Sequence, residues 1–475
     1  MSMLRRKDFL RNLAALAVGS AVFPRASYAE CVQSARTKLD EFSIVDLHCH
    51  PSLKMFLLGK RIWKRTFPGP GANPLTMQIT TNELRRGRVR GMLCAHYIPE
   101  GALAQQTALK YLYPAIKLFA PGQLEKLEYQ DASNFTQVNI MMDDLEAQLH
   151  RANQKQCAVR FVVPRNYAEF EQAIMDGCIP VAHAIEGAHA LGRNFPLKAI
   201  ECRRPPPEEY PQTGSMHGDA AYYVRNLEAL KARGLCMITL SHFFENDLSF
   251  PVEGIAPDTK KDIGLNWHYD PNDGCDRPLT EIGEIVVRSM LDIGVIVDLT
   301  HATPLVRQGV FEINAARGKP RPLAFTHTGS RNIFEKYAAQ CKGGPYKNYG
   351  SYAVDPGEID QISRCGGVIG VIPENFWLVG CDPRLDPASG KKFKYGIDYM
   401  VETILDINCN TQMKEFDNVA IGTDFDGLAD APADLYKPSQ LNVLIARLSA
   451  RGVSSEHIKK ITSGNAMRLL KEGWG

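Results

Sequence analysis

The stretch SIVDLHCHPS, residues 43–52, is an apolar run that stops on two histidines one residue apart. In a strand, side chains at i and i+2 share a face, so His48 and His50 would leave its end side by side. On a helix they would stand about 200° apart. Two imidazoles presented together suit one half of a metal site, and equally the polar end of a strand entering the Pro51 turn. Further runs end in groups of the same kind. IPVAHAIEG (179–187) carries Glu186, LCMITLSH (235–242) His242, GVIVDLTH (294–301) His301, PLAFTHT (322–328) His327 and NVAIGTDFDG (418–427) Asp424. One histidine at a strand end is more often an ordinary hydrogen-bonded residue. Its recurrence, with carboxylates, at the same point of several runs argues for a metal centre.

Imidazole and carboxylate without thiolate suit zinc better than manganese, iron or cobalt. His48, His50, Glu186, His301 and His327 are more ligands than one catalytic zinc takes from protein. They serve two ions if Glu186 bridges, with His48 and His50 on one ion and His301 and His327 on the other. Two ions ~3.5–4 Å apart share a water and lower its pKa from about 15.7 towards ~7, giving a bridging hydroxide at neutral pH.

Such ligands meet only if the elements bring the run ends together. With FSIVDLH (42–48), VRGMLCAHY (89–97) and GGVIGVIPE (366–374) the apolar runs number eight, separated by helical stretches. Continuous apolar strands alternating with helices predict an α/β fold with a parallel sheet. Eight strands predict a (β/α)8 TIM-type barrel whose C-terminal strand ends share one rim. The helices carry stop and start signals. Thr303 and Pro304 open one that closes by Gly318; YYVRNLEALKARG sets Val224, Leu227 and Leu230 on one face and stops at Gly234; another spans 280–292 before Gly294. Residues 101–178, 192–218 and 243–278 are long insertions, the first mostly helical with a short extra strand at 158–163.

The first 29 residues have a basic start, the apolar stretch LAALAVGSAVF and small residues at Ser27 and Ala29, which is the layout of an export signal cleaved after Ala29. LRRKDFLR resembles a twin-arginine signal, with Arg5–Arg6 one residue early relative to Phe9-Leu10. The apolar stretch is short for a membrane span. Removing 29 of 475 residues leaves 446, read as one elaborated domain over 30–475, with fifty basic residues against fifty-two acidic. A near-neutral chain without basic clusters is not built for nucleic acid. All twelve cysteines follow the signal and would meet an oxidising, periplasmic or otherwise exported compartment; none has metal-site spacing.

IEGAHAL, ITLSHFFEN, VIVDLTHAT, AFTHTGSRN and AIGTDFDG, in this order and followed by GNAMRLL, resemble the membrane (renal) dipeptidase family of metal-dependent amidohydrolases over roughly residues 43–470. The resemblance implies a barrel with two zinc ions that cleaves the peptide bond of dipeptides. It implies His48 as first ligand, Glu186 as bridge and His301 with His327 as the second pair. His242 would contact the scissile group, Asp424 would be the acid/base, and Arg331 would hold the substrate's terminal carboxylate, at a shorter spacing from His327 than the family's. A homodimer is common among such proteins, and some relatives carry a disulfide where Cys341 and Cys381 lie. One departure stands out. The family usually has His-x-Asp at the first strand, and His50 here makes the cluster one unit more positive. That leaves room for other substrates of a binuclear centre, namely N-acyl amino acids, cyclic amides or lactones. A non-enzyme alternative is an exported binding protein with an ancestral pocket.

Several residues have smaller expected roles. His183 and His96 lie on buried runs as core or supporting residues, and His189 is a candidate to line the pocket. Asp426 either supports Asp424 or makes a turn. Asp46 shares a face with His48 and is placed to support it, whereas Asp298, three before His301, should face away from it.

Overall fold

The computed structural model describes residues 42–64, 66, 76–99, 133–155, 159–192, 220–243, 246–252, 278–338, 352–380, 396–411, 415–428 and 431–475. Nine strands form in chain order: β1 (Ile44–Cys49), β2 (Val89–Tyr97), β3 (Phe161–Val162), β4 (Ile179–Glu186), β5 (Leu235–Thr239), β6 (Ile296–Asp298), β7 (Ala324–Thr328), β8 (Val368–Val371) and β9 (Val419–Ile421). Eight of them pair in the order β1-β2-β4-β5-β6-β7-β8-β9, every pair parallel, and β3 adds to β4. The two ends of this path meet. Asp424 N–H donates to the His48 carbonyl at 2.8 Å and His50 N–H to the Phe425 carbonyl at 2.8 Å, so the segment after β9 closes onto β1. The result is the (β/α)8 barrel that the alternating runs predict, within a compact unit covering 42–475.

The predicted helices are present with small shifts. Thr303 caps Pro304–Ala315 by accepting from Val306 N–H, and Thr280 caps Glu281–Ile293, which ends at Gly294 in the left-handed conformation. The helix Ala220–Ala232 buries Tyr223, Leu227 and Leu230; Tyr223 takes the place expected of Val224, which is only half-buried. The short strand expected within 158–163 is β3. The signal residues 1–29 and both Cys341 and Cys381 lie outside the described residues.

Inside the barrel, one core cluster takes Val45, Leu93, Ala182, Met237, Ile296, Ala324, Val368 and Ala420 from the eight strands. Beneath it the helix Asn465–Gly473 and Trp474 close the floor, with Trp474 1% exposed and its ring 6.5 Å from Phe170. A tryptophan buries roughly 150–250 Å², which at ~25 cal/mol/Å² is at most about 4–6 kcal/mol. With the floor sealed by apolar side chains, the polar strand ends gather at the opposite rim.

Candidate metal centre

The strand ends deliver their side chains through local departures from regular β geometry. In β1 the pairing register slips between Asp46 and Cys49, and His48 and His50 come together with their Nε2 atoms 3.0 Å apart. After Glu186 the chain turns on Gly187 at φ +89°, where a Cβ would sit 2.3 Å from the His189 ring. His301, Asp424 and Asp426 have φ of +68°, +51° and +72°. Left-handed backbone costs a non-glycine residue roughly 1–2 kcal/mol. Three such residues beside one another mark the rim as a place where side-chain direction outweighs backbone comfort.

Glu186 is the hub. Its Oε1 lies 3.3 Å from Nε2 of each of His48, His301 and His327, and its Oε2 lies 3.2 Å from His50 Nε2 and 3.3 Å from His242 Nε2. His301 and His327 stand 3.1 Å apart through their Nε2 atoms. Asp424 Oδ1 is 3.0 Å from His50 Nε2 and 4.0 Å from His48 Nε2. His48, His50, His301, His327 and Glu186 are 1–3% exposed, and His242 is 4% exposed. Two sets, His48–His50–Glu186 and Glu186–His301–His327, each hold their ligand atoms within 4.8 Å. Ligands about 2.0–2.2 Å from one tetrahedral zinc are separated by about 3.3–3.5 Å, so these spacings are those of adjacent corners of a coordination shell. The donor set therefore fits two ions sharing Glu186.

The electrostatics point the same way. Burial works against ionising Glu186, but His242, His50 and His48 around it hold the carboxyl well below its usual range. Burial and the neighbouring His327 press His48 down to about 4, and burial with His242 presses His301 to about 3. At His50 burial is outweighed by Glu186 and Asp424, which push the imidazole up to about 10. The two carboxylates thus demand positive charge among rings that resist carrying it, a demand that divalent cations meet.

Supporting groups surround the ligands. Asp46 accepts from Thr423 N–H at 2.9 Å, Thr423 Oγ1 at 2.6 Å and His48 N–H at 3.3 Å, so its support reaches the backbone of His48 and joins β1 to β9. Asp298, expected to face away from His301, lies against two other histidines of the cluster. Its carboxylate lies within 4.8 Å of ligand atoms of His48 and His327. Asp426 accepts from Gln78 N–H at 2.7 Å and Ile79 N–H at 3.0 Å, with Lys54 Nζ at 3.4 Å, so it locks the 76–80 segment beside Asp424. His96 and His183 share a hydrogen bond of 2.8 Å, and His183 reaches Glu146 at 3.1 Å, on the barrel's helix-covered side. His189 bonds the Ile98 carbonyl at 2.7 Å. Arg331 is half-buried at the start of the helix Arg331–Ala338, four residues beyond His327.

Aromatic rings make up a further part of the rim. The Trp377 ring stacks on His327 at 5.4 Å and Tyr352 stacks on Trp377 at 4.6 Å; Tyr97 and Phe243 lie 4.2 and 3.7 Å from His242. Sequence reading missed Trp377 and Tyr352. The signal was there for Trp377, which follows the end of the seventh apolar run by three residues; Tyr352 lies outside the runs and helices that periodicity marks.

Comparison with known proteins agrees with this geometry. Residues 221–473, more than half of the chain, match the family described as membrane dipeptidase, peptidase family M19. That stretch holds His242, His301, His327, Arg331 and Asp424, while His48, His50 and Glu186 precede it. The dipeptidase ataJ of Aspergillus terreus is 27% identical over 206 residues, 43% of this chain and 43% of its own length. A Schizosaccharomyces pombe protein described as an uncharacterised dipeptidase is 26% identical over 195 residues, 41% of this chain and 40% of its own. The alignment thus spans less than half the length of either relative. Among solved structures, the probable dipeptidase PvdM of Pseudomonas aeruginosa superposes with a TM-score of 0.62 at 17% identity, over 95% of this chain and 99% of that one. A metallopeptidase of Rhodobacter sphaeroides, solved with a phosphinate mimic of the dipeptide L-Ala-D-Ala, gives 0.60 at 16% identity over 91% and 99%. These likenesses carry the fold, and the family match carries the kinship: the chain belongs to the membrane dipeptidase family, peptidase family M19.

Proposed function

We propose that the protein is a binuclear zinc dipeptidase. The observation that carries the reading is the single carboxylate of Glu186 within 3.3 Å of five imidazoles drawn from four strand ends. His48 and His50 would hold one ion, His301 and His327 the other, and Glu186 both. Such a pair of ions supplies acidified water as a nucleophile at neutral pH and Lewis-acid polarisation of a carbonyl.

The chain's own residues do the rest. Asp424, 15% exposed at its side chain, is the more open of the two carboxylates and would take a proton from the attacking water and return it to the leaving amine. His242 Nε2, on the Glu186 side of the rim, donates to the oxyanion that forms as the carbonyl carbon becomes tetrahedral. Arg331 offers a forked donor to a product-side carboxylate. The rings of Tyr97, Phe243, Tyr352 and Trp377 displace water, which strengthens each of these charged contacts.

His50 favours a second reading on substrate. An imidazole in place of the aspartate usual in the family removes one negative charge that could balance a dipeptide's ammonium, which favours N-acyl amino acids, cyclic amides or lactones. Metal analysis of the purified protein and a hydrolysis panel of dipeptides beside these compounds test both. About two zinc ions per chain with turnover of dipeptides supports the first reading; turnover confined to blocked substrates supports the second. Negligible metal with no hydrolysis would favour a binding protein. Export belongs to the same proposal: a periplasmic product beginning at Glu30 is expected from N-terminal sequencing. No helix among the described residues is long and apolar enough to cross a membrane. Sedimentation would test the homodimer.

A further inference from the structure

One hydroxyl touches both halves of the candidate centre. Thr326 Oγ1 lies 2.6 Å from Asp298 Oδ2, 3.0 Å from His48 Nδ1 and 2.8 Å from His327 Nδ1. His48 belongs to one ion's ligand pair and His327 to the other's, and their rings sit 3.8 Å apart between centroids. The directions of these hydrogen bonds can be worked out. Asp298 receives Thr326 N–H at 2.9 Å, Thr300 N–H at 3.0 Å, Thr300 Oγ1 at 2.7 Å and Thr239 Oγ1 at 2.5 Å, in addition to Thr326 Oγ1. Five donors thus surround its two oxygens, and Asp298 is the acceptor of this network. A threonine hydroxyl has one proton and two lone pairs. Its proton goes to Asp298. Both lone pairs must then accept, one from each imidazole.

His48 and His327 therefore both carry hydrogen on Nδ1, and each turns its Nε2 towards Glu186. That is the form a ligand needs in order to bind a cation through Nε2. The partner rings are held differently. His50 Nδ1 and His301 Nδ1 are buried and have no hydrogen-bond partner among the described residues. Each ligand pair thus contains one ring fixed by Thr326. Asp298, within 4.8 Å of ligand atoms of His48 and His327, already receives these five donors.

We infer that Thr326 is a positioning residue for both ions at once: through Asp298 it fixes the tautomer of His48 and His327, so that the two sites share a single hydroxyl. The inference rests on the two-ion reading above. It predicts a coupled loss. Thr326→Val keeps the shape of the side chain and removes the hydroxyl, while Thr326→Ser keeps the hydroxyl.

Zinc affinity is read by competition with a chelator of known affinity, beside the thermal midpoint of the chelator-treated protein. Wild type and Thr326→Ser are expected to bind two zinc ions with similar affinity. Thr326→Val is expected to bind both about 10–100-fold more weakly, the range typical for loss of a group behind a ligand, with its metal-free midpoint close to wild type. If Thr326→Val does not fold, Asp298→Asn serves instead. Its amide can donate to Thr326, which frees the hydroxyl proton for one histidine and should weaken one zinc ion while sparing the other. Thr326→Val holding both ions with wild-type affinity, losing only one, or matching Thr326→Ser would overturn the inference. Asp298→Asn leaving both affinities unchanged would do the same. A wild-type protein that binds no zinc would instead defeat the two-ion reading, so the two failures are distinguishable.

Discussion

Asp424 can be tested with little disturbance to its surroundings, because of its backbone. It sits at φ +51°, where alanine would add strain of about 1–2 kcal/mol while asparagine is among the residues that tolerate the region best. Asp424→Asn also keeps the side chain's size beside Gly427, where a Cβ would already come within 2.5 Å of Asp424 Oδ1. The backbone contacts survive as well: Asp424 N–H to the His48 carbonyl, and Gly427 and Leu428 N–H to the Asp424 carbonyl at 3.0 Å each. What the amide loses is the capacity to accept and return a proton. A group in that role is worth roughly 10²–10⁴ in rate, or about 2.7–5.5 kcal/mol of barrier. The variant should therefore keep zinc content and thermal midpoint near wild type while kcat falls by that factor. Initial rates on the best dipeptide from the panel, with zinc measured on the same sample, give the answer. A kcat within about threefold of wild type, at full zinc content, would remove Asp424 from the proton path.

Other variants test the scaffold. Arg307, 0% exposed, meets Glu358 at 3.0 and 3.1 Å and reaches the Tyr352 carbonyl behind Trp377. Arg307→Met or Glu358→Leu alone should cost about 3–5 kcal/mol, the double variant less than either; equal or additive losses in denaturant titrations would refute an uncompensated buried charge as the cause. At Gly422 a Cβ would lie 1.7 Å from the Thr326 carbonyl, so Gly422→Ala should lower both solubility on expression and zinc content, and an unchanged midpoint would contradict the packing. Chelation should lower the midpoint and added zinc restore it, since a ligand at 100 times its Kd stabilises by about 2.7 kcal/mol. Glu146 is held down to about 2 from 4.5, first by the hydrogen bond from His183, so its contribution is present above pH 4.5 and is lost as pH falls towards 2. In chelator-treated protein the midpoint gap between wild type and Glu146→Gln should narrow over that window; a gap that widens on acidification would reverse the sign.

Much of this arrangement was legible in the chain because burial on both faces writes a strand as a continuous apolar run. Each of the eight runs corresponds to a barrel strand, and VRGMLCAHY matches β2 at both ends. The strand-end residues were legible for the same reason, since parallel strands put all their C-terminal ends on one rim. Simple alternation failed where the backbone leaves regular geometry. His301 follows Asp298 on left-handed backbone, so period-two counting does not set their relative directions, and the register slips between Phe325 and Thr328, around the residue that carries the shared hydroxyl. Thr326 has no distinguishing mark in sequence: a threonine before a histidine in a strand is ordinary. Tyr352 depends on its stack with Trp377, a ring from another segment, which no local pattern records.

Trp474 has a consequence for how the molecule is made. Its indole completes a core to which all eight strands contribute, and the first strand is held by residues after the ninth. An emerging chain therefore lacks its seam until Phe425, and its base plug until Trp474, has left the ribosome. Partial barrels would expose apolar edges and interiors in the meantime. Keeping such partial barrels soluble until Trp474 is in place becomes a task for the cell.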